Sequence, residues 1–165
     1  MDRNATKTGK AYDGFDRRLL TALQRTGRAT NAELSRSANL SESSCLRRVK
    51  QLEADGVIER YAAILAPERV GLPLNIFVTI TLASQAETAL NQFETEVAKI
   101  DEVMECFLMT GSADYLLRIV AKDVDDLQRL HATQLTRLPN VGRVNSSIAM
   151  RQVVRRTELP VREIR

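Results

Sequence analysis

Apolar residues recur along the chain with two different periods, and the change of period divides it. Phe15, Leu19, Leu20 and Leu23 fall at i, i+4, i+5 and i+8 behind an Asp13-x-x-Asp16 start, which predicts a first helix stopped at Gly27. Thr30 and Glu33 have the spacing of a capping box, and Leu34 and Ala38 supply the inward face of a helix of about two turns. Asn39 suits a left-handed turn, Leu40 plugs the corner, and Ser41 caps a third helix expected to run to Glu53 before Gly56 ends it. Residues 57–65 read as a strand with a short wing, and residues 67–73, with two prolines and Gly71, read as a linker.

Beyond the linker the period becomes two. Ile76, Val78, Ile80 and Leu82 alternate with Phe77, Thr79 and Thr81, predicting a strand over 74–82. Leu90, Phe93, Val97 and Ile100 form a helical stripe, 103–110 and 115–121 read as strands, Val124, Leu127 and Leu130 open a second helix, and 144–154 closes with a strand. The prediction is an α+β chain: an N-terminal (winged) helix-turn-helix followed by a ferredoxin-like βαββαβ domain, with both helices on one face of an antiparallel sheet. The expected segments are a loose basic tail over 1–11, the helix-turn-helix over 12–66, the linker over 67–73, the ferredoxin-like domain over 74–156 and a C-terminal tail over 157–165.

Charge adds a functional asymmetry to this division. Up to Ala66 there are twelve Lys and Arg against eight Asp and Glu; the remainder has twelve against thirteen. The basic part is the one with three short helices, which suggests a module that faces nucleic acid. At 100° per residue the third helix turns Cys45, Leu46, Val49 and Leu52 inward, and Ser44, Arg47 and Gln51 outward, with Ser43, Arg48 and Lys50 on the shoulders. That acid-free face offers hydroxyl, amide and guanidinium groups to phosphates and to base edges in a major groove. A merely solvated face is the commoner reading of one basic helix; the short preceding helix and the Asn39 turn favour DNA.

The remaining chemistry is sparse. Cys45, Cys106 and the single His131 have no disulfide or zinc-ligand spacing, and His131 has no placed Ser or Cys partner. No cofactor, metal or catalytic residue is therefore expected, and the chain reads as a non-enzyme. No run of eighteen apolar residues and no apolar segment near Met1 are present, which predicts a cytoplasmic protein with no membrane association. The 110–114 segment, Thr110-Gly111-Ser112-Ala113-Asp114, reads first as a hairpin turn; its amides could also take a carboxylate and its acid an ammonium, the two ends of an amino acid. Residues 72–86 carry no charge and 103–110 are apolar on both faces, so the helix-free side of the sheet is expected to pack on a second copy. A two-fold dimer would present two reading helices to a pseudo-palindromic site.

Taken together, Asp13-x-x-Asp16-x-x-Leu19-Leu20-x-x-Leu23, Gly27-Arg28, Glu33-Leu34-Ser35, the 40–58 run from Leu40-Ser41 through Cys45-Leu46, Arg48-Val49 and Leu52-Glu53 to Gly56-Val57-Ile58, Gly111-x-x-Asp114-Tyr115-Leu116-Leu117 and Leu138-Pro139-x-Val141 resemble the Lrp/AsnC family of transcriptional regulators, in particular its leucine-responsive branch. The resemblance spans about 12–156. It implies binding of double-stranded DNA through Arg28, Thr30, Asn31, Ser43, Ser44, Arg47, Arg48, Lys50 and Gln51. It also implies a small effector, an amino acid, near Leu108, Gly111, Asp114, Val124, Ser147, Ile148 and Ala149 at subunit interfaces, and homodimers that assemble into octamers. Ser112 and Ala113 stand where that branch usually has an acid and an aromatic, and Ser147 where it has a tyrosine, which implies a roomier or differently polar pocket. The alternatives are an effector-independent DNA-architectural protein and a decarboxylase of related fold; the single histidine and the intact basic helix weigh against the latter.

Overall fold

The computed structural model describes residues 12–162, so the expected basic tail over 1–11 lies outside the described residues. The chain forms two compact units, residues 12–63 together with 154–162, and residues 64–153.

In the first unit, helix α1 (Gly14–Arg25) begins where Asp13 accepts hydrogen bonds from the Phe15 and Asp16 amides at 2.8 and 3.0 Å, and Asp16 takes the Asp13 amide in return. Helix α2 (Asn31–Ala38) starts with the Thr30–Glu33 box and ends at Asn39 with φ 57°, the left-handed turn its short side chain tolerates. Helix α3 (Glu42–Ala54) starts at Ser41, whose hydroxyl accepts from the Ser44 amide. Leu19, Leu34, Ala38 and Cys45 form the buried centre of the three helices.

The expected strand over 57–65 is not formed. The Val57 and Ile58 amides both donate to the Leu52 carbonyl, closing the end of α3, and 59–66 run on without a ladder. A strand needs a neighbour for its backbone groups, and the first unit has none among the described residues. Within 67–73 the linker contains a single 3-10 turn, Pro67–Val70, stopped by Gly71 at φ 80°.

The second unit is a four-stranded antiparallel sheet of β1 (Leu74–Leu82), β2 (Val103–Leu108), β3 (Tyr115–Ala121) and β4 (Val141–Ile148), in the order β2-β3-β1-β4. Helices α4 (Glu87–Val97) and α5 (Val124–Thr133) complete the βαββαβ order. The alternation in β1 buries Ile76, Val78, Ile80 and Leu82 against Phe93, Val97 and Leu130 of the helices. The Phe93 and Tyr115 rings lie 4.4 Å apart, and the Tyr115 hydroxyl donates to Glu94 at 2.8 Å. Cys45 is buried and Cys106 exposed, and loss of solvation by the surrounding chain pushes both thiols up, Cys106 to about 11; neither has the lowered value of a nucleophile.

Strand β4 starts three residues before the expected 144 and stops six before the expected 154. Asn140, at φ 61°, turns the chain into the strand, and Ile148 pairs with Ile76 near the start of β1. Past Ala149, which donates to the Asn75 carbonyl, β1 offers no further partner. On the side away from the helices, Phe77 and Phe107 remain exposed around the Glu105–Arg118 ion pair.

Candidate nucleic-acid interface and effector site

Helix α3 is placed by its buried side, Cys45 and Leu52, and this leaves Ser43, Arg47, Lys50 and Gln51 on the exposed side. The predicted contact residues separate into two kinds. Arg28, Arg47 and Lys50 are exposed, and among the described residues no side-chain hydrogen bond or ion pair engages them. They are cations available to an anionic partner.

The others are partly committed to the fold. Thr30 caps α2; Asn31 donates from Nδ2 to the Glu42 carbonyl at 2.9 Å, fixing the start of α2 against the start of α3. The Ser41 hydroxyl lies 3.3 and 2.9 Å from those of Ser43 and Ser44, and Gln51 donates to Asp55 at 2.8 Å. Arg48 is the clearest case. Its guanidinium pairs with Asp13 at 2.9 Å and Asp16 at 2.7 Å and lies 5.4 Å from the Phe15 ring centroid, with only 24% of the side chain exposed. The hydrogen bond it donates to the Asp16 carboxylate above all raises its pKa further, while the Asp16 amide, followed by the Phe15 amide and Arg48, holds Asp13 below the ordinary carboxylate value. Arg48 ties α3 to the start of α1. The same two acids that cap the start of α1 thus also hold Arg48.

The effector candidates also separate, by position. Leu108, Gly111 and Asp114 lie where β2 passes to β3. Gly111 sits at φ 132°, a conformation that side chains resist, although a Cβ there would meet nothing within 4 Å. Asp114 is 8% exposed, and its two oxygens accept from the Leu82 amide and from Gln85 Nε2, both at 2.7 Å. Its carboxylate therefore anchors the 109–114 turn to the end of β1 and the loop after it. Gln85 is the residue that the sequence reading missed; nothing in its spacing links it to Asp114.

Ser147, Ile148 and Ala149 lie at the end of β4, at the opposite corner, and Val124 opens α5 past the end of β3, at the same end of the sheet. Leu108 aligns through Tyr115 with Ile80, whereas Ile148 pairs directly with Ile76. Leu108 and Ile148 are thus on opposite edge strands, three strand spacings or about 14 Å across and about 13 Å along the sheet. Leu108 and Val124 are each 60% exposed. One copy of the chain does not gather these residues around one small molecule.

Two family matches cover both units. Residues 12–59 match a winged helix-turn-helix DNA-binding family, and residues 75–159 match the Lrp/AsnC ligand binding domain. The chain belongs to the Lrp/AsnC family. It is 38% identical over 156 residues to the leucine-responsive regulatory protein of Escherichia coli K12, covering 94% of this chain and 95% of that one. A transcriptional regulator of Neisseria meningitidis, solved as an L-Met complex, superimposes with a TM-score of 0.86 at 38% identity, covering 90% of this chain and 96% of the other. An AsnC family regulator of Agrobacterium tumefaciens gives the same TM-score at 35% identity, over 90% and 97%. As an Lrp/AsnC protein, this chain is a transcriptional regulator with a DNA-binding helix-turn-helix and a ligand-binding domain. No described helix is long and apolar enough to cross a membrane.

Proposed function

We propose that this regulator binds double-stranded DNA as a cytoplasmic homodimer, able to assemble into an octamer, and that a free amino acid bound between copies changes its assembly or its DNA affinity. It acts by binding rather than by catalysis. Arg47, with Arg28 and Lys50, supplies the principal DNA contacts; Thr30, Asn31, Ser43, Ser44 and Gln51 add polar ones, and Arg48 acts by holding α3 in place. The observation that carries the effector reading is the separation of the two residue groups to opposite corners of the sheet. A second copy can bring Val124, Ser147, Ile148 and Ala149 to the Leu108, Gly111 and Asp114 corner of the first. The L-Met complex of the Neisseria relative supports an amino acid as the ligand class. Asp114 serves this site by fixing the turn that presents the Gly111 backbone. A ligand at such an interface acts only through its different affinity for two assembly states.

Subunit mixing tests this directly. Gly111→Val strains one corner and Ser147→Trp fills the other, so each variant alone should lose calorimetric binding of L-methionine and L-leucine. Dimers formed from both variants contain one intact composite site, and random pairing should restore roughly a quarter of the wild-type sites. Absence of recovery, with mixed dimers demonstrated by mass spectrometry, contradicts a composite site.

A further inference from the structure

The C-terminal segment returns to the first unit and is held there by a specific contact. Gln24 on α1 donates from Nε2 to the Leu159 carbonyl at 3.2 Å, and its Oε1 accepts the Leu159 amide at 2.6 Å. A primary amide has one donor edge and one acceptor edge, so it pairs with a peptide group as a neighbouring strand would. Beside it, Arg25 pairs with Glu158 at 3.1 Å. Leu159, Pro160 and Val161 line a groove of about 530 Å³ together with Tyr12, Leu20 and Leu23. Leu159 is 76% exposed, so the contact reads its backbone more than its side chain. Pro160 narrows the conformations available to the undocked segment and lowers the entropy cost of docking.

The chain consequently passes between the two units twice, at 63/64 and at 153/154. With the segment released, only the first connection would tether the helix-turn-helix. A second tether restricts where each reading helix can go, and in a two-headed binder this raises the effective concentration of the second head once the first is bound. We propose that residues 154–162 are a strap, anchored by the Gln24 side chain, that strengthens simultaneous binding of two DNA half-sites without contributing to either. The proposal rests on the dimeric DNA-binding reading above, and its test separates the two.

The experiment uses the full-length protein and its Gln24→Leu variant, with duplexes selected from a random library on the wild type and then cut to one or two half-sites. Hydrogen exchange should show the Leu159 amide protected in the wild type and unprotected in the variant. Affinity for the two-half-site duplex should fall roughly fivefold or more, with affinity for a single half-site unchanged. Deletion of 157–165 should reproduce the loss on the two-half-site duplex and leave single-half-site affinity unchanged. Equal exchange in the two proteins overturns the anchor, and equal two-site affinity overturns its role in binding. A parallel loss on the single half-site places Gln24 in the fold of the head and also overturns the strap. If selection on the wild type enriches no duplex, the DNA reading fails, while the exchange result still decides whether the segment docks as described.

Discussion

The two units are stabilised in different ways. The sheet unit buries thirteen apolar residues in one cluster, from Ile76 to Leu138, around the Phe93–Tyr115 pair. Among the described residues the helix-turn-helix unit has a central cluster of four buried apolar residues, and one of its helices has only eight residues. Isolated helices of this length are marginal. It relies instead on polar fastenings: two capping boxes, the Asn31 bond to Glu42, and Arg48 held between Asp13 and Asp16. A unit built this way keeps its reading helix in place with side chains at the ends of helices, which leaves the outer face of α3 open to a partner.

This contrast can be broken from either side. Phe93→Ala should have the largest effect, about 3–5 kcal/mol, because it empties the centre of the sheet unit; chemical denaturation should show that loss in the sheet transition while α1 to α3 retain their helical signal. Arg48→Ala should cost the other unit about 1.5–3 kcal/mol by leaving the Asp13 and Asp16 carboxylates without their cation. Urea unfolding of that unit reads this out, and a cost as small as that of a typical exposed ion pair, below ~1 kcal/mol, would remove Arg48 from its structural role. Arg47→Ala should leave both transitions alone and weaken DNA binding by roughly 1–3 kcal/mol at its own base position, or uniformly with a shallower salt slope if it meets a phosphate. Unchanged affinity and unchanged salt dependence would take Arg47 off the contact surface.

Acid supplies the smallest test. Asp13 and Glu33 in the first unit and Asp126 in the second all lie below their ordinary pKa values, chiefly through amide hydrogen bonds from Asp16, Thr30 and Lys122 respectively. A carboxylate whose folded pKa is depressed adds stability above its unfolded value and loses it as pH falls through the folded one. Denaturation midpoints should therefore stay level with respect to these groups from pH 7 to about 5 and decline below about 4. Stabilisation by acid in that range would reverse the assigned sign.

Much of this was legible in the sequence, and the misses have a common cause. The caps at Asp13, Thr30 and Ser41 and the left-handed Asn39 are set by residues a few positions apart, and strand β1 is set by an alternation of period two; all are local patterns. The features that sequence reading got wrong or missed are pairings between distant segments. Residues 57–65 have strand-forming side chains but no neighbouring strand, β4 ends because β1 does, and Gln85 reaches Asp114 across 29 positions. Arg48 shows the same limit at the candidate interface. Its helical position places it on a shoulder of the basic face, while its partners, Asp13 and Asp16, belong to another helix. The Asp114 carboxylate likewise looks available in the motif and is engaged in the fold, so Asp114→Asn is a test of the turn as much as of any charge.

Under the proposed function, the polar-braced unit reads DNA under the control of a ligand held by the sheet unit. The most direct measurement follows the affinity of the purified full-length protein for a selected two-half-site duplex while each of the twenty amino acids is titrated in. At least one should shift the apparent Kd by roughly fivefold or more, as expected for a coupling free energy of about 1–3 kcal/mol. DNA binding that is tight, sequence-specific and unmoved by all twenty would contradict that control.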